Sequence, residues 1–239
     1  MDEARSVRDF WFGRAALTPA ALKHRMLFWF GGADSELGRR RDQHIRVRFG
    51  ELLERAAGGH LSGWADGPRR RLSLIIVLDQ FPRNMFRGDA RAFAYDEQAL
   101  ALALSGMQSA ADAALNMFER IFFYMPMQHA ENREVQDESV AAYRRLRAEA
   151  PEDVRDFFAS ALRSAQNHRS IIERFGRFPH RNRILGRADT REEEQWLQKG
   201  ERFGIVGAMT YRALRVKVEA GQMLQLIAAH ANVTVARHG

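Results

Sequence analysis

PEDVRDFFASALRSAQNHRSIIERFG, residues 151–176, decides the fold. Val154, Phe157, Phe158, Ala161, Leu162, Ala165, His168, Ile171, Ile172 and Phe175 recur at the three- and four-residue spacing of one helix face. Pro151 stands at the start and Gly176 at the end, where a helix tolerates each. His168 lies on the stripe, so its ring is expected to point inward.

The same spacing continues outward. Ile45, Phe49, Leu52, Leu53 and Ala56 mark a helix from Ser35 to Ala57, ended by Gly58-Gly59. Residues 58–67 read as a loop anchored by Trp64. FWFG occurs at 10–13 and at 28–31, with Gly13 and Gly31 suited to left-handed helix ends. Thr18-Pro19 caps the second of two short helices, about 3–12 and 19–29. Gly67-Pro68 opens a helix to about Asp79 that is apolar nearly all round, hence central and buried. No second strand-like run exists to pair with it.

Further helices are expected at about 90–105, capped by Asp89 and ended by Gly106, and over MFERIFFYM, stopped before Pro126. Pro126–Glu131 reads as a turn or the first turn of a helix reaching about Glu149, with Val135, Ser139, Ala142, Tyr143 and Leu146 on one face. Asn116/Glu119 and Thr190/Glu193 have the spacing of capping boxes. A last helix is expected over roughly 207–230. The fold class is therefore all-α: about ten helices as stacked antiparallel hairpins. Residues 1–204 form one domain, and 205–239 extend it.

The 239 residues are 46% hydrophobic, enough for a core without staples. With no cysteine, thiolate metal sites, disulfides and cysteine nucleophiles are excluded. No apolar run approaches the ~20 residues that span a bilayer, and the N-terminus lacks a signal-type region. A soluble cytoplasmic protein without membrane contact is expected. The formal charge of +7 permits a polyanionic partner. The excess is almost all arginine, which helical proteins often pair internally, so nucleic acid is disfavoured. Arg39-Arg40-Arg41 reads as a solvated face.

Two related stretches carry the polar chemistry. LIIVLDQFPRNMFRG (74–88) and HRSIIERFGRFPHRNRILG (168–186) each run Ile-Ile, Phe-Pro, an Arg-Asn pair, then Gly, a weak internal repeat. Asp79 ends a buried helix and needs a cation; the loop after it offers Arg83 and Asn84. Arg174, Arg177, His180, Arg181 and Asn182 crowd the second stretch. Arginine forks there suit a carboxylate or phosphate, whether of a peptide terminus, nucleotide or small metabolite. His129, Glu131, His168, Arg177 and His180 are expected to line one cavity, with Arg181 or Asn182 at its edge. The rings of His129 and His168 should then lie within about 12 Å.

Two alternatives stay open. His129, Glu131, His168 and His180 offer three nitrogens and a carboxylate to a metal, although none shows the i, i+4 spacing of helical metal motifs. The charges could instead satisfy one another in a buried network that fixes helix packing.

LDQFPRN, QHAE, HRxIIxRFGRFPHRN and the opening DFWFG resemble the domain-of-unknown-function 924 family over about residues 6–204. The resemblance implies a tetratricopeptide-like helical fold and no stated activity. His129-Ala130-Glu131 stands where the family typically has His-Ser-Glu.

Overall fold

The computed structural model describes residues 2–15, 17–31 and 35–199. Among them there is no strand. The α-helical segments, in order, are α1 (Glu3–Phe12), α2 (Pro19–Phe30), α3 (Glu36–Ala57), α4 (Pro68–Ile75), α5 (Phe81–Met85), α6 (Asp96–Gln108), α7 (Met117–His129), α8 (Arg133–Glu149), α9 (Arg155–Phe175) and α10 (Arg191–Gln198). The helix expected over 207–230, and with it the 205–239 extension, lies outside the described residues. Among the described residues no helix is long and apolar enough to cross a membrane.

Local chemistry sets the helix ends. Asp2, Thr18 and Ser35 accept the backbone N–H groups of Arg5, Ala21 and Gly38, each satisfying a donor the first turn leaves open. Both capping boxes form reciprocally, Asn116 with Glu119 and Thr190 with Glu193. Gly176 ends α9 in the left-handed region at φ 69°. Of the two FWFG glycines, Gly13 has positive φ, whereas Gly31 is extended at φ −82°.

The core gathers on α4. Leu72 to Ile75 on α4 and Ile76 to Leu78 directly after it are buried without a break, and α1, α6 and α7 pack around α4. The FWFG segments meet each other there: Trp11 lies 5.8 Å from Phe28, Phe12 lies 6.0 Å from Trp29, and Trp29 Nε1 donates to the Trp11 carbonyl at 2.8 Å. Each such ring contributes about 1.5–3 kcal/mol by leaving water. The α7–α8 and α8–α9 pairs form consecutive hairpins. A smaller cluster of Ile171, Ile172, Phe178 and Trp196 holds α10 against the end of α9.

Further expectations are corrected. Helix α7 does not stop before Pro126 but carries it internally and ends at His129. Gly106 lies inside α6, and Asp89 caps a short 3₁₀ turn, Ala90–Phe93, ahead of that helix. Arg41 is not on a solvated face: it is buried and donates to the carbonyls of Phe28 and Gly31 at 2.6 and 3.3 Å.

Candidate functional site

The segment LDQFPRN is helical, not a loop. Proline lacks an N–H, and its ring clashes with the carbonyl four residues back. The chain answers with a π turn, Ile76–Gln80, in which the Phe81 N–H reaches the Ile76 carbonyl. The wider turn passes Pro82 and lets α5 continue. Asp79 sits in that turn, fully buried. Its carboxylate accepts from His129 Nδ1 at 2.7 Å and from the Gln80 side-chain amide, and lies 3.2 Å from the Arg83 guanidinium. Burial pushes a carboxyl upward, but Arg83, then His129 and Gln80, outweigh it and hold Asp79 below the ordinary range.

His129 is the last residue of α7. The chain turns there because Gln136, fully buried on α8, donates to the carbonyls of Met127, Gln128 and Ala130 at 3.2, 2.8 and 2.8 Å. An ionised Asp79 can only accept, so His129 carries its proton on Nδ1 and its lone pair on Nε2. His168 is fixed the same way, with Nδ1 donating to the Ser164 carbonyl at 2.8 Å. The two ring centroids are 6.2 Å apart. Burial lowers both rings, His168 to about 3 and His129 by burial and the nearby Arg83, so both are neutral at pH 7.

Both rings face a cavity of about 90 Å³ between α5, α7 and α9. Gln80, Arg83, Asn84, Arg87 and Gln128 share the polar wall; Trp29, Phe30, Ile121, Met125 and Phe157 form the apolar one. Arg87 lies three residues after Asn84 and donates to its side-chain oxygen at 3.0 Å. It also pairs with Asp42, which in turn binds the buried Arg41 at 2.9 Å.

The remaining expected residues lie elsewhere. Glu131 is taken by Arg187 at 2.6 and 3.0 Å and by the Phe178 N–H at 2.8 Å. Arg177 forms a two-pronged pair with Glu193, both contacts at 2.7 Å, and Arg174 pairs with Glu192 at 2.8 Å. Both arginines therefore clamp α10 and do not line this cavity. Arg181 is buried between the Phe93 and Phe178 rings, 4.6 Å from each, and donates to Asp96 at 3.2 Å. Burial, with Arg83 adding to it, lowers its pKa to about 10. Asn182 donates to Asp189 at 2.6 Å, and His180 is exposed.

The four residues weighed for a metal thus do not assemble as ligands. Among the described residues no three His, Cys, Asp or Glu side chains are placed to hold one. Sequence reasoning missed Asp42, Arg87, Asp96 and Gln128. Arg87 lies in the turn just past α5, and no spacing signal marks its contact with Asn84.

A family model described as "Bacterial protein of unknown function (DUF924)" matches residues 7–201. The chain belongs to the DUF924 family. A solved structure of a protein of unknown function from Agrobacterium tumefaciens is similar to this DUF924 member at 36% identity, covering 83% of this chain and 98% of that one, with a TM-score of 0.68. No curated protein matches the chain.

Proposed function

We propose that this protein binds a small organic anion, a short-chain carboxylate, in the cavity between α5, α7 and α9. The observation that carries the reading is the division of the cavity wall, with Arg83 and Arg87 among amides on one side and Trp29, Phe30, Met125 and Phe157 on the other. Four arginines in and beside this wall, Arg41, Arg83, Arg87 and Arg181, contact three aspartates, Asp42, Asp79 and Asp96. Both histidines are neutral, so one positive charge is left over within this group. A monoanion would balance it, and its hydrocarbon part would cover the rings.

Size narrows the ligand. Pockets for drug-sized molecules measure ~300–1,000 Å³, well above the 90 Å³ here. The size favours an acid of a few carbons over a nucleotide. Helical hairpin arrays of the tetratricopeptide type offer clefts of this kind between neighbouring hairpins. The buried charge network is part of the same reading, since it fixes the groups that line the cavity.

A thermal-shift series tests it. A ligand that binds only the native state at 100 times its Kd adds about 2.7 kcal/mol. Propionate and butyrate should raise the melting temperature saturably, and Arg87→Ala should lose that response. Equal shifts in the variant, or a shift with ATP and none with the acids, would contradict the reading.

A further inference from the structure

We propose that His129 is the general base of an activity on this bound ligand, with Asp79 as its positioning residue; this rests on the cavity being a ligand site. The geometry has three parts. Asp79 accepts from His129 Nδ1 at 2.7 Å, which fixes the tautomer and turns the acceptor nitrogen away from the carboxylate. Arg83 and Gln80 hold the carboxylate itself, so its orientation does not depend on the histidine. The His129 ring is part of the cavity wall.

A buried carboxylate is costly unless fully paired. Pairing it with a histidine that faces a ligand cavity has a chemical use. When Nε2 takes a proton, the new imidazolium is stabilised by the carboxylate behind it. The step balances simply. A proton leaves an acidic O–H or C–H in the cavity for His129 Nε2, the bonding pair stays on the atom it leaves, and the proton is later returned. No oxidant, reductant or metal enters.

The groups facing His129 agree with this role. Asp79 and Arg83 approach from the π turn and α5, Asp96 from α6, His168 from α9, and His180 from the turn after it. Burial and Arg83 outweigh the two carboxylates and keep the ring neutral and able to accept.

Alkylation of the whole protein tests the proposal. The chain has no cysteine to compete for the reagent. Bromoacetate is a short carboxylate. Nε2 displaces its bromide, leaving a carboxymethyl group on His129. Peptide mapping should find His129 modified at least about tenfold faster than the exposed His60, with propionate protecting it, and Asp79→Asn should slow His129 by a similar factor.

Bromoacetamide, the neutral counterpart, separates the two readings. If it labels His129 as fast as bromoacetate, the base stands and the anion preference falls. If His129 reacts no faster than His60 with either reagent, or Asp79→Asn folds and leaves the rate unchanged, the base is overturned. Should Asp79→Asn fail to fold, nitrogen-15 NMR of the wild-type ring decides. A proton on Nδ1 and none on Nε2 at pH 7 supports the proposal, and the reverse tautomer refutes it.

Discussion

Arg83 and Arg181 donate to the same oxygen of Asp96, at 2.8 and 3.2 Å. They come from the two Phe-Pro-(His)-Arg-Asn segments, so the sequence repeat closes on a single carboxylate. The segments are not alike in conformation: one is helix α5, the other a 3₁₀ turn, Pro179–Arg181, beyond Gly176. What they share is an arginine delivered to one point between α6 and the helix ends.

Removing either aspartate leaves a guanidinium short of a partner. Asp79→Ala and Asp96→Ala should each cost ~3–5 kcal/mol, the usual loss when a buried pair is broken. Because Arg83 serves both, the double variant should cost less than the sum. Urea denaturation of the four proteins checks this, and strict additivity would mean that the two pairs are independent.

Gly106 lies where α6 meets α7. A Cβ there would stand 2.5 Å from Phe123 Cζ and 2.8 Å from Arg71 Cδ. Alanine favours a helix interior by about 1 kcal/mol over glycine, but overpacking costs ~1–3 kcal/mol. Gly106→Ala should therefore lower the urea midpoint, whereas Gly50→Ala on α3, with open space around it, should raise it slightly.

Stability should fall on mild acidification. Burial holds His168 down to about 3 and lowers His129 as well, while an unfolded histidine titrates near ~6.5. Between those values the unfolded chain binds more protons, so unfolding becomes easier as pH drops. His168 alone gives a slope of up to about 1.4 kcal/mol per pH unit, and His129 acts in the same direction. Urea midpoints at pH 7.5, 6.5 and 5.5 measure it, and His168→Gln should flatten the slope.

Arg177 separates the cavity from the α10 clamp. Its guanidinium is committed to Glu193 and to the Ala188 carbonyl. Arg177→Ala should lower the melting temperature while leaving the propionate-induced shift intact. Loss of the shift would return Arg177 to the ligand.

Most of the fold was legible. The stripe on α9, the caps at Thr18, Asn116 and Thr190, and the apolar run that begins on α4 are local signals that packing then uses. Asp79 was legible too, because a carboxylate on an apolar line must find a cation, and Arg83 was within one turn. What misled was proline. Pro82 and Pro126 both read as helix ends, yet a π turn carries the chain past the first and α7 carries the second internally. This error placed His129 at a helix start instead of a helix end. The clamp of Arg174 and Arg177 on α10 was also hidden, since Glu192 and Glu193 reach them only in three dimensions.

The ligand cavity is tested most directly by following the imidazole resonances of the intact protein as propionate is added. His129 and His168 should shift saturably and together, with the exposed His60 unchanged, and Arg87→Ala should weaken the effect. If both cavity rings stay fixed while propionate reaches millimolar excess, or if only His60 responds, the cavity does not bind a small carboxylate.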